Sequence, residues 1–129
     1  KILGILDWEM ATIGNPLFDL GTTLGYWVQE NDHPLLKKIS LSPTTSSGNF
    51  SRAEILHYYE KYSELEVKDP VYYYVFGLFK ISVIVQQIYF RYKSGYSKDK
   101  RFSKLIDVVK VCSLVAYQAI KKNKIDDLF

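Results

Sequence analysis

One cysteine, Cys112, is all the thiol chemistry in this chain of 129 residues. A lone thiol closes no disulfide within the chain and builds no multi-cysteine zinc site, so a reducing, cytoplasmic setting is expected. Histidine is equally scarce: neither His33, in a loop, nor His57, on a helix, has a ligand partner at metal-binding spacing. Nor does one sign of charge dominate. The 17 basic and 14 acidic residues leave a net +3, and only Lys121-Lys122-Asn123-Lys124 forms a modest basic cluster. That balance argues against nucleic acid or a membrane as a partner. No basic region followed by an apolar core and a cleavage site opens the chain, so no secretory signal is read. The longest apolar stretch, Val71 to Tyr92, approaches the roughly 20 residues that span a bilayer. Lys80, Gln86, Gln87 and Arg91 interrupt it, and a soluble buried helix is the expected reading.

With 47% hydrophobic residues the chain can build one core, and it is too short to expect two domains. It opens on Lys1 and runs straight into Ile2-Leu3-Gly4-Ile5-Leu6, which reads as a short strand stopping at Asp7. No second strand or hairpin turn follows to pair with it. The expectation is therefore a piece of a longer chain, with the strand's neighbour upstream of Lys1.

Helix signals follow in series. Asn15 can cap a helix whose first position Pro16 occupies without losing a needed donor, and Leu17, Leu20, Leu24, Trp27 and Val28 form an apolar stripe ending near Glu30. Residues 31–50 lose that periodicity apart from Leu35 to Leu41, and the run Ser42-Pro43-Thr44-Thr45-Ser46-Ser47-Gly48-Asn49 reads as part of a long mobile loop. Ser51 and Glu54 have capping-box spacing for a second helix with Ile55, Leu56, Tyr59, Tyr62 and Leu65 on its apolar side, leaving near Glu66. Asp69-Pro70 opens a long third helix bearing Val71, Val75, Leu78, Phe79, Ser82, Val85, Gln86 and Tyr89, and Gly95 stops it. Phe102, Leu105, Ile106, Val109, Cys112, Ala116, Ala119 and Ile120 trace the last helix. The organisation read from these signals is strand and metal loop over 1–14, helix over 15–30, loop over 31–50 and a helical subdomain over 51–122.

Chemistry concentrates at the start, where Asp7 and Glu9 stand just beyond the apolar run. Hard divalent cations take such oxygens, and magnesium held by one or two carboxylates plus substrate phosphates serves phosphoryl transfer. Spacing alone fits a solvated loop more often than a metal site. The larger pattern, Ile5-Leu6-Asp7-Trp8-Glu9 through Gly14-Asn15-Pro16-Leu17-Phe18-Asp19-Leu20-Gly21, resembles the strand, metal loop and helix of aminoglycoside phosphotransferase and choline kinase-like enzymes. It is most similar to the branch related to phosphotransferase domains fused to acyl-CoA dehydrogenases, and the similarity continues through Phe76 to Ile81 and Val85 to Tyr92.

The resemblance implies a mainly α fold, the helical C-terminal lobe of a protein kinase-like (α+β) fold with a short strand at the N-terminus. It also implies an ATP-dependent phosphotransferase moving the γ-phosphate to a small-molecule hydroxyl, with Mg2+ as cofactor and ATP and the acceptor as partners. Asp7 would match the magnesium-coordinating aspartate, counterpart of the Asp in the protein kinase Asp-Phe-Gly motif, with Glu9 an auxiliary ligand. Asp19 would match the helix aspartate that orders the catalytic loop, the alternative being a favourable helix-dipole residue. Gln86, Gln87, Tyr89 and Arg91 are candidates on the substrate side, although amides and tyrosines on a long helix more often satisfy core contacts. Tyr72-Tyr73-Tyr74 reads as packing with exposed hydroxyls, and Cys112 as a buried inert thiol.

This chain has Gly14-Asn15-Pro16 where the family commonly has Gly-Asp-Pro. It lacks the His-x-Asp-x-x-x-x-Asn catalytic loop and the nucleotide-gripping lobe, so alone it is expected to be inactive, and self-association is a possible consequence of an open half-site. A non-enzymatic helical interaction module and a pseudokinase relic are the alternatives.

Overall fold

A computed structural model describes residues 2–39 and 43–129. Ser40, Leu41 and Ser42, and with them the end of the Leu35–Leu41 run and the first residue of the polar run, lie outside the described residues, as does Lys1. The described residues form helices α1 (Leu17–Tyr26), α2 (Pro34–Ile39), α3 (Arg52–Ser63), α4 (Pro70–Lys93) and α5 (Leu105–Lys122), with short 3-10 turns at Trp8–Met10, Pro43–Thr45 and Lys100–Lys104. The architecture is mainly helical, consistent with the helical lobe of a kinase-like fold. The N-terminal strand is absent among them. Residues 2–6 carry no regular structure, and Ile2, Leu3, Ile5 and Leu6 are exposed. A strand is stabilised by a hydrogen-bonded neighbour, and none is present in the described residues to make the ladder.

The starts predicted for α1 and α3 hold through local hydrogen bonds, whereas α4 begins at Pro70 with no side-chain cap bond from Asp69. Asn15 Oδ1 accepts from the Leu17 N–H at 2.9 Å, one residue ahead of α1's first turn. Ser51 Oγ accepts from the Glu54 N–H at 3.2 Å while Glu54 Oε2 accepts from the Ser51 N–H at 2.7 Å, completing the capping box on α3. Those bonds hold the Glu54 carboxyl below the usual carboxylate range. Gly95, at φ 79, ends α4: the Tyr96 N–H reaches the Arg91 carbonyl at 2.9 Å and the Gly95 N–H the Tyr92 carbonyl at 3.1 Å. This is the double closure of a Schellman motif, for which glycine is favoured.

Helix ends differ more. The first helix stops at Tyr26 rather than near Glu30, and α3 at Ser63 rather than Glu66. The 31–50 segment contains α2 and a 3-10 turn, and α2 contributes Leu36, 4% exposed, to the core.

α4 is the central helix, packed against α1 on one side and α5 on the other. Its core face is Tyr74, Leu78 and Ile81, which meets Leu20 and Leu24 of α1 and Val111, Cys112, Val115 and Ala119 of α5. The face expected from sequence was rotated: Phe79 and Gln86 are exposed on α4, as is Ile120 on α5. Length and composition, with a mean hydropathy of 1.3, would let α4 cross a membrane, yet only 22% of its most apolar window is buried within this fold. The expected burial of this helix is thus corrected, since an apolar side bearing Tyr72, Phe79, Val83, Ile84 and Phe90 faces outward.

Three glycines let α1 and α4 touch backbone to backbone. A methyl group at Gly77 would lie 2.1 Å from the Gly21 carbonyl oxygen, one at Gly21 2.1 Å from the Tyr73 carbonyl oxygen, and one at Gly25 3.0 Å from Ile81 Cδ1. Backbone on the opposing helix cannot rotate aside as a side chain can. Gly77→Ala is therefore expected to destabilise the chain by about 3 kcal/mol, the upper end of ordinary overpacking. Urea unfolding measures this, and an unchanged midpoint would show that the helices slide apart at no cost.

Candidate active site

The turn carrying the two acids is built by short-range bonds. Asp7 adopts a left-handed conformation, φ 64 and ψ 39, and the chain then enters the Trp8–Met10 turn. Trp8 Nε1 donates to the Ile5 carbonyl at 2.8 Å across this bend, and the Ala11 N–H donates to the Trp8 carbonyl at 3.0 Å. Aspartate tolerates left-handed geometry better than most residues, which accounts for its presence at the corner. Both Asp7 and Glu9 are exposed.

The loop is moored to the helical body through Asn15 and Phe18. Asn15 Nδ2 donates to the Tyr73 hydroxyl at 3.2 Å, so the amide that stands in the Gly-Asn-Pro run both caps α1 and ties it to α4. An aspartate there could cap but could not donate. Phe18 meets Tyr73 and Phe76 edge-on, with centroids 5.3 and 4.6 Å away. Asp19 lies in the first turn of α1, exposed, and its carbonyl oxygen accepts from Thr23 Oγ1 at 3.0 Å.

Hard-cation chemistry fits Asp7 and Glu9, two carboxylates free of internal ion pairs among the described residues. No group of three or more histidine, cysteine, aspartate or glutamate side chains gathers as a metal cluster among the described residues. Two carboxylates are the donor type that hard cations such as magnesium take.

The substrate-side candidates lie apart from this turn in sequence and have no described hydrogen bond to it. Gln86, Gln87 and Arg91 are exposed and Tyr89 half-buried on the outer part of α4, so the amides do not serve core contacts as a long helix more commonly arranges. The three tyrosines diverge. Tyr72 is exposed, Tyr73 accepts from Asn15, and Tyr74 is fully buried with its hydroxyl unpaired, contrary to the exposed hydroxyl expected of it. Cys112 is buried as expected, and burial pushes its thiol pKa up. A groove of about 680 Å³ is lined by Thr44, Asn49, Glu54 and Asp126 among others, and by none of Asp7, Glu9 or Asp19.

Sequence reading missed the most heavily bonded polar centre, around Arg52. Its side chain is 0% exposed. Nε donates to the Trp27 carbonyl at 2.9 Å, Nη1 to the Ile125 carbonyl at 2.9 Å, and Nη2 to the carboxylate of buried Asp32. Asp126 stands 3.8 Å from Nη1, and the guanidinium lies 4.9 Å from the centroid of the Tyr74 ring. Gln29 joins in, accepting from the Arg52 N–H at 2.7 Å and donating to Asp126 at 2.8 Å. Burial raises the Tyr74 phenol's pKa against the opposing pull of Arg52. One signal was available: a cation in the first turn of a helix opposes the helix dipole and needs another reason to be there.

Residues 1–55 match the sequence pattern of the family described as "Phosphotransferase enzyme family". The opening of this chain is thus similar to phosphotransferase sequence. The whole chain is also similar to acyl-CoA dehydrogenase family member 11 of Pongo abelii and of Homo sapiens, 26% identical to each over 125 residues. Those alignments cover 95% of this chain and 16% of each relative, so the chain spans about a sixth of their length. No solved structure matches it. The match covers Asp7, Glu9 and Asp19 together with the Ser51–Glu54 capping box.

Proposed function

We propose that this chain is the helical, metal-presenting part of an ATP-dependent phosphotransferase that moves the γ-phosphate of ATP to a small-molecule hydroxyl. The observation that carries the reading is Asp7, lifted into the left-handed corner of a turn within the phosphotransferase-matching segment, with Glu9 two positions on. Asp7 would hold Mg2+ and Glu9 would assist. An ion held by these carboxylates would supply charge neutralisation to the transferring phosphoryl group. Asp19, at the positive end of α1, steadies the loop that supplies the acceptor's base, and Gln86, Gln87, Tyr89 and Arg91 lie on the acceptor side.

Phosphoryl transfer also requires a residue to receive the acceptor's proton and groups to grip the nucleotide. This chain shows neither motif, so the 129 residues alone turn over no ATP. The test is a phosphate-release and transfer assay with MgATP and a panel of small hydroxyl compounds, run on the isolated chain and on a polypeptide joining it to a nucleotide-binding lobe. The expected result is transfer by the longer polypeptide only. Turnover by the isolated chain would overturn the division of labour, and failure of both would favour a helical interaction module or a pseudokinase.

A further inference from the structure

The chain-wide charge of +3 hides a strong local asymmetry. Between Arg91 and Lys104 six cations accompany one carboxylate, Asp99, whereas residues 2–32 carry five carboxylates and no lysine or arginine. The basic segment is the connection between α4 and α5, and Arg91, Lys93, Lys98, Lys100, Arg101 and Lys104 are all exposed. Among the described residues only Arg101 is neutralised there, by Asp99 at 2.6 Å. Two rings stand out of the same end of the fold: Tyr96 is 78% exposed and Phe90 62%.

This end is ordered. The Schellman closure places Tyr96 directly after the left-handed Gly95, and Asp99 Oδ1 accepts from the Arg101 N–H at 2.9 Å, so little loop ordering remains to be done on contact. None of the three described grooves is lined by residues 91–104. A cationic end whose charges all stand exposed suits a broad anionic surface better than an enclosed small anion. Exposed aromatic rings among lysines add a preference, because a phenyl or phenol ring gains by entering the boundary between lipid headgroups and acyl chains, while lysine stems keep their ammonium groups at the headgroups. A phosphate backbone offers Phe90 no comparable gain.

We propose that the α4–α5 connection is a docking surface for an anionic lipid membrane, with Lys93, Lys98, Lys100 and Lys104 against the headgroups and Phe90 and Tyr96 at the interface. The contact is peripheral and electrostatic, so it weakens as salt shortens the screening length. This reverses the expectation drawn from the averaged charge, and it is independent of the phosphotransferase reading.

Cosedimentation of the full chain with phosphatidylcholine vesicles, with and without about one third phosphatidylserine, tests it at about 0.1 M salt and again at several-fold higher salt. The expected result is at least about tenfold stronger partitioning to the anionic vesicles, lost at high salt and lost in the triple variant Lys98→Glu, Lys100→Glu, Lys104→Glu. These side chains are exposed and make no described core contact, and circular dichroism confirms that the variant folds. Tyr96→Ser should weaken binding while leaving its salt dependence. Equal partitioning to neutral vesicles, an unaffected triple variant, no binding at all, or binding to a DNA duplex without binding to vesicles would each overturn the proposal.

Discussion

Replacing Asp7 with alanine, in a polypeptide that pairs this chain with a nucleotide-binding lobe, is expected to lower phosphate transfer about a thousandfold or more. A metal acting on a phosphoryl oxygen supplies several kcal/mol of transition-state stabilisation, and each 1.4 kcal/mol is about tenfold in rate. Alanine also strains a left-handed corner at φ 64, so the loss could arise from a disturbed turn. Asp7→Asn separates the two causes. Asparagine is at home in that conformation and keeps the side chain's shape, so a loss as large as alanine's identifies the missing charge. Glu9→Gln should raise the magnesium concentration needed for half-maximal rate with a smaller fall at saturation. Asp19→Asn should lower kcat with little change in KM for ATP, because it acts through a loop. Undiminished transfer by both Asp7 variants would end the metal assignment.

Arg52→Met is expected to cost the folded chain about 3–5 kcal/mol, a large share of the stability of a small domain. Methionine refills much of the volume, but it leaves buried Asp32 without its cation and the Trp27 and Ile125 carbonyls without their donors. The side chain also joins parts distant in sequence: the segment after α1, the start of α3, the Tyr74 ring and the C-terminal tail. Loss of the arginine should therefore free the tail, where Ile125 and Leu128 are 7% and 2% exposed, and speed amide exchange there. Urea unfolding measures the energy. Adding Asp32→Leu to Arg52→Met should restore part of it, because an unpaired buried charge is then removed. The exposed Arg101–Asp99 pair is the control, and Arg101→Met should leave the unfolding midpoint unmoved. A Arg52→Met chain as stable as the parent would mean that apolar packing alone holds the tail.

Legibility in the sequence followed the range of the interaction. Asn15, the Ser51 and Glu54 pair and Gly95 act within a few residues of themselves, so their caps and turns could be read directly. The left-handed corner at Asp7 could not, although the candidate role of its carboxylate could: the residue pattern carried the family resemblance, while φ and ψ depend on the turn that Trp8 closes onto Ile5. Nothing local distinguished Tyr74 from Tyr72 and Tyr73. Successive residues on a helix point about a quarter-turn apart, and only the placement of α1 and Arg52 decided which ring went inside.

From residues alone came the helical class, the starts of its principal helices, the phosphotransferase resemblance and the acids at its head. These follow from nearest-neighbour hydrogen bonding, from the period of apolar side chains and from a contiguous motif. Only the folded arrangement decided that Gly21 and Gly77 bring two backbones together, that Arg52 rather than an apolar residue is the hub beneath α3, and that the opening Ile-Leu run forms no strand. Each of these needs partners far along the chain, or a neighbouring strand, and such partners leave no periodic trace in a single sequence.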